Sequence, residues 1–202
     1  MKTQSLGIWA AFIVQLAAHA QEKTPWELAR YENDIAISYR WVSMGNSEKI
    51  REMQAVFTVD SEPDKIIAQF TDSKKLKGWS VSTEVCEVVP GVNNHWQTYM
   101  RFGLPWPLKS TDLISQCVLM VRGNVSIIKM NSIPTARPVY KSVTRINSLQ
   151  SEWKFIPMGN GRTKVIYNSL TYARPEYPRY LTDGIIQNKL IHSIGLLKKQ
   201  SS

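Results

Sequence analysis

The side chains with which this sequence could do chemistry are few and scattered: two cysteines, three histidines and dispersed carboxylates. His95 and His192 have no His-x-His or His-x-x-x-His partner, and Cys86 and Cys117 lack the spacing of a metal knuckle, so no metal site is predicted. No Gly-x-Ser-x-Gly elbow, phosphate loop or dinucleotide fingerprint occurs, so no cofactor is assigned. A Ser or Cys nucleophile needs a base in reach, and none stands at a recognisable spacing. The acid–base candidates are His95, Tyr99, Asp112 and His192. Catalysis requires two of them to converge, which depends on the elements that carry them.

Those elements are mostly strands. Thr24-Pro25-Trp26-Glu27 has the form of a helix start, predicting a short helix to about Tyr31. Strand patterns follow at 35–42 and 48–59, with Gly45-Asn46 as the turn; Met53, Ala55, Phe57 and Val59 alternate as in a half-buried strand. Ser61-Glu62-Pro63-Asp64 opens a second helix, amphipathic through Ile66, Ile67 and Phe70 and ending near Lys77-Gly78. Strand runs then occupy 81–89, 94–103, 111–122, 125–132, 142–156 and 163–173, separated by turn residues, as in an antiparallel meander. A helix over about 177–199 closes the chain. Its apolar residues cover much of the circumference, which predicts a largely buried helix.

This order predicts an α+β domain: a curved antiparallel sheet wrapped round a long C-terminal helix, with space for a ligand between them. Cys86 and Cys117 fall on strands with a third between them, about 9–10 Å apart, so free buried thiols are expected.

Residues 1–20 are set apart. Lys2, the apolar run Leu6 to Ala18 and the small-x-small Ala18-His19-Ala20 have the form of a secretory signal peptide cleaved after Ala20. Residues 21–202 are then a single domain, exported to a periplasm or secreted. Lys2 is the only charged residue in the leading segment, so its loss lowers the net charge of +9 by one. Basic clusters stand at Lys74-Lys75-Lys77 and Lys198-Lys199, with Arg174 and Arg179 beside the start of the last helix. Aromatics do not interleave with them, so nucleic acid is not expected; transient contact with an anionic membrane surface is.

Four stretches carry a resemblance. TPWELARYENDIAISYRW, PWPLKSTDLI, VTRINSLQSEWKFIPMGNGRTKVIY and PEYPRYLTDGIIQNKL together resemble, in order and spacing, the START domain, the lipid-transfer branch of the helix-grip (SRPBCC) superfamily. The resemblance spans about Trp26 to Lys199. It implies one lipid-like molecule bound in the cavity; the expected function is binding, and transfer or sensing, of a lipid or other hydrophobic small molecule by a non-enzymatic monomer. Helix-grip relatives also include cyclases and hydrolases using the same cavity, and a ligand-free interaction module is a third reading.

Strand parity places Trp96, Thr98, Met100 and Phe102 on one face, and Leu113, Ser115, Cys117 and Leu119 on the matching face of the next strand; these are the predicted ligand-binding residues. Sterol-transfer members of the resembled family carry an arginine at the position of Cys117 and a carboxylate near Thr98. Both positions are uncharged here, which implies a more apolar or differently polar ligand. His95, Tyr99 and Asp112 fall on the opposite face, where Asp112 is in reach of turn amides or Arg145. Pro105, Trp106 and Pro107, together with Leu181, Gly184 and Ile185 on the last helix, are the predicted gate.

Overall fold

The structure, a computed structural model, describes residues 22–44, 48–103, 109–172 and 177–202. The leading segment, the Gly45-Asn46 turn and the Pro105 to Pro107 part of the gate lie outside the described residues.

Asn33 and Asp34 both take left-handed backbone, φ 51° and 59°, a conformation Asn and Asp tolerate better than other residues with a Cβ. That tight turn folds β1 (Glu27–Glu32) back along β2 (Ile35–Ser43). The helix expected over 24–31 is therefore a strand. The reason is visible in its backbone partners: Thr24 N donates to Trp41 O, and Trp41 N donates to Thr24 Oγ1, both at 2.9 Å. A free strand edge beside the segment satisfies more backbone groups than one isolated helical turn, so pairing outweighs the local signal.

β3 (Lys49–Val59) follows β2 and alternates as expected, with Ala55, Phe57 and Val59 buried. Where one helix was expected there are two, α1 (Pro63–Ile67) and α2 (Ser73–Trp79). Asp72 separates them, because its carboxylate accepts hydrogen bonds from Lys74 N and Lys75 N and so caps a new helix. Next come β4 (Thr83–Pro90), β5 (His95–Phe102), β6 (Thr111–Arg122) and β7 (Val125–Ser132). The expected strand at 142–156 is divided. Two residues, β8 (Thr144–Arg145), run parallel to β6, and β9 (Leu149–Gly159) begins after a break. β10 (Arg162–Thr171) returns through the Gly159-Asn160-Gly161 turn, whose φ values are all positive.

The strands form one sheet in the order β1-β2-β3-β10-β9-β7-β6-β5-β4, antiparallel along this path. The β3–β10 pairing joins the N-terminal strands to the meander. The final helix, α3 (Arg179–Ser201), packs on the inner face.

α3 is not largely buried. Ile191, Ile194 and Leu197 are, but Tyr180, Leu181 and Ile186 are 83%, 53% and 45% exposed. The first half is held by polar side chains instead. Arg51 makes a two-pronged pair with Asp183, Arg30 Nη1 donates to Asn188 Oδ1, and Gln187 reaches the Tyr39 hydroxyl. Apolar residues spread round a helix thus reflect two environments along its length, a core for one half and an open surface for the other.

Candidate ligand-binding cavity

Between the inner face and α3 lies a cavity of about 240 Å³. Its walls follow from strand parity. Inward residues on β5, β6, β7, β9 and β10 supply Met100 and Phe102, Leu113, Met130, Ser151 and Trp153, and Tyr167. α1 and α2 lead Phe70, Leu76 and Trp79 in from one side, while Leu190 and Ser193 cover it from α3. Ile146, in the connection before β9, and Leu149, the first residue of β9, complete it. An aromatic cluster stiffens one wall. Phe70 lies 5.0 Å from both Trp79 and Trp153 between ring centroids, and Trp153 lies 4.2 Å from Tyr167. Trp79 Nε1 donates to Gln69 O, so the cluster is tied to backbone as well as packed.

The structure brings Met100, Phe102 and Leu113 to the cavity wall. Trp96 and Cys117 lie in the core beside it, Leu119 packs against that core, and Thr98 and Ser115 are buried on the same inner face. Cys117 pairs with Trp96 in register, and its Sγ stands 3.9 Å from Thr98 Oγ1. Burial pushes the Cys117 thiol up to about 12 and the Cys86 thiol up to about 11. Both cysteines are free, with β5 between their strands; Cys117 is buried as expected, whereas Cys86 is only half-buried.

The wall residues missed by strand parity come from β7, β9, β10, the α1–α2 segment, α3 and the connection before β9. Trp153 and Tyr167 carry the needed signal: the alternation in their runs puts them on the inner face. The part played by Phe70, Leu76 and Trp79 was not readable that way, because it depends on where α1 and α2 sit over the sheet.

The acid–base candidates do not converge in the cavity. His95 is exposed, with Nδ1 2.8 Å from Asn93 O, and His192 lies on the exposed side of α3. Tyr99 and Asp112 face outward, yet both are buried, because the segment after β7 folds over them. Arg137 stacks over the Tyr99 ring at 4.7 Å and Arg145 pairs with Asp112. Burial raises the Tyr99 pKa. Among the described residues Tyr167 is the titratable group on the cavity wall, and burial raises its pKa as well. Among the described residues no three His, Cys, Asp or Glu side chains are placed to hold a metal ion.

The residues assigned to the gate on α3 stand in its exposed first half. Gly184 has open space around it: an added Cβ would meet nothing within 4 Å. It does not serve close packing against the sheet.

No family model matches the chain. Its fold does match solved structures. A STAR-related lipid transfer protein from Xanthomonas axonopodis superposes with a TM-score of 0.74, over 87% of this chain and 98% of that one, at 17% identity. The chain has the START helix-grip fold. An aromatase/cyclase from Streptomyces sp. R1128 shares its general form less closely, with a TM-score of 0.55 over 75% of this chain and 93% of that one at 11% identity. An uncharacterized protein of Pseudomonas aeruginosa is 22% identical over 192 residues, 95% of this chain and 93% of that protein.

Proposed function

We propose that this protein binds one lipid or other hydrophobic small molecule between the sheet and α3, and acts as a carrier or sensor rather than an enzyme. The observation that carries the reading is the cavity wall, in which Phe70, Trp79, Met100, Leu113, Trp153 and Leu190 face one another across about 240 Å³. A wall of that composition favours transfer of apolar groups from water by about 0.8 kcal/mol per methylene, so a short acyl segment is enough for binding without charged contacts. The outward placement of His95, Tyr99 and Asp112 supports the non-enzymatic reading. The structural likeness to a lipid transfer protein is in keeping with it.

The form of residues 1–20 supports export, with the ligand taken up in a periplasm or outside the cell. The lysines at 74, 75, 77, 198 and 199 support a passing contact with anionic membrane, in a protein acting as a monomer. Native mass spectrometry of protein purified from the exported fraction tests the reading at once. A bound lipid and a mass that begins at Gln21 are expected. A protein that repeatedly carries no adduct, even after incubation with mixed lipid vesicles, overturns the carrier reading; an intact Met1 in that fraction overturns the cleavage.

A further inference from the structure

Ser115 is fully buried on the inner face of β6, and its hydroxyl has no hydrogen-bond partner. The indole N–H of Trp96, 5% exposed on β5, has none either. Buried polar atoms are nearly always paired, so two orphans close together need a reason. Register shows how close they are. Ser115 stands directly opposite Thr98, while Trp96 is opposite Cys117 and Met100 opposite Leu113. Trp96 and Met100 are therefore the two diagonal neighbours of Ser115 across β5, within reach of long side chains. On the other side, Met130 is opposite Cys117 and again diagonal to Ser115. Thr98 has only the weak Cys117 sulfur as a partner, at 3.9 Å.

Met100 and Met130 both line the cavity. They border the unpaired group on its two sides, and methionine is the apolar side chain most able to change shape. The cavity is also small, about 240 Å³, where ligand sites usually run from roughly 300 to 1,000 Å³. A ligand that turns Met100 and Met130 aside gains volume and reaches Ser115, Thr98 and Trp96 together. The cavity wall holds no charged side chain among the described residues. Lys189, next to the wall residue Leu190, directs its ammonium to Gly103 O at 3.2 Å.

We infer that the ligand carries one neutral oxygen function, a hydroxyl or carbonyl, which docks on the Ser115–Thr98–Trp96 group after Met100 and Met130 move aside. The inference rests on the carrier reading above and narrows it. Trp96 Nε1 can only donate, so the ligand must present an acceptor; the two hydroxyls either donate or accept. A carboxylate or phosphate would be taken out of water with no cation to meet it, which the neutral oxygen avoids.

The test uses the uncharged fluorophore N-phenyl-1-naphthylamine as a probe of the cavity, displaced by 1-dodecanol, dodecane or dodecanoate at about pH 8, where the acid is ionised. Dodecanol is expected to displace the probe at about tenfold lower concentration than either of the others. Ser115→Ala and Trp96→Phe should each weaken dodecanol about tenfold relative to dodecane measured in the same variant, so that any general change in the cavity cancels. Ser115→Ala should keep its melting temperature, because the hydroxyl it removes makes no bond within the protein; this separates a ligand contact from a structural role. Dodecanoate binding as tightly as dodecanol, or dodecanol binding indifferent to both substitutions, overturns the inference while the carrier reading stands. Failure of the probe and all three chains to bind overturns both.

Discussion

Every N–H of the Arg145 guanidinium is occupied, and Asp112 takes two of them. Nε and Nη2 of Arg145 donate to the two Asp112 oxygens at 2.9 and 2.7 Å, while Nη1 and Nη2 also reach the carbonyls of Pro134, Arg137 and Pro138 at 2.6–3.0 Å. Both side chains are buried, 3% and 0% exposed. The pair fastens the connection between β7 and β9 to the outside of β6. It also sets the cavity wall on the other side, since the next residue, Ile146, donates its N–H to Asp112 O at 2.8 Å and lines the cavity.

Removing one member of this pair leaves a buried charge alone. Asp112→Ala is expected to destabilise the fold by about 3–5 kcal/mol, read as a lower midpoint in urea unfolding. Replacing both members with apolar residues of similar volume should cost less than the single change, because no charge is then stranded. A loss under about 1 kcal/mol for Asp112→Ala would mean that the connection is held by something else.

The Arg51–Asp183 pair holds the exposed half of α3 against β3. Its Nη1–Oδ2 distance is 2.8 Å, and the guanidinium also stacks 3.9 Å over the Tyr39 ring. Asp183→Asn should weaken a charge-assisted contact worth about 1–3 kcal/mol and speed release of a bound fluorophore severalfold in stopped-flow displacement. Affinity at equilibrium should change less than the rate. An unaltered release rate in the folded variant would show that this half of α3 does not open for exchange.

Gly184→Ala tests the same segment in the opposite direction. With open space around the site, alanine meets no clash and should stabilise the helix by about 1 kcal/mol. A stiffer first half should also slow uptake and release while leaving affinity less affected. A higher melting temperature with unchanged rates would make Gly184 a tolerated defect in the helix rather than a hinge.

Cys117 predicts a loss of stability in alkali. Its ordinary thiol value is 9.0, and burial raises it to about 12 in the folded protein. Between those values the unfolded chain has released a proton that the folded chain still holds. Stability is therefore whole below about pH 9 and falls as pH rises towards 12, by at most about 1.4 kcal/mol per pH unit from this group. Cys117→Ala should flatten that part of a melting-temperature profile. An identical alkaline slope in both proteins would remove Cys117 as its source.

Alternation alone determined most of the sheet. Met53, Ala55, Phe57 and Val59, and the parity of Trp96 to Phe102, are local statements that a two-residue period makes whatever the strand pairs with. The outward direction of Tyr99 and Asp112 followed from the same count, and the separation of Cys86 from Cys117 by β5 followed from the order of strands in a meander. The domain's α+β form could be read because its short turns leave successive strands little choice of neighbour.

What failed was decided at a distance. Thr24-Pro25-Trp26-Glu27 has the side chains of a helix start, but the free edge of β2 claims its backbone, and no local pattern records where an edge is unpaired. Asp72 divides α1 from α2 because its carboxylate finds two amides, while Tyr180, Leu181 and Ile186 stand exposed because the core meets α3 only around Ile191, Ile194 and Leu197. The cavity belongs to this second kind of fact. Sequence could name Met100, Phe102 and Leu113 as inward residues, but which inward residues border empty space depends on how Phe70, Trp79 and Leu190 are carried over them. Inward direction is a property of one strand; a cavity is a property of several elements packed together, and only the tertiary structure brings them into contact.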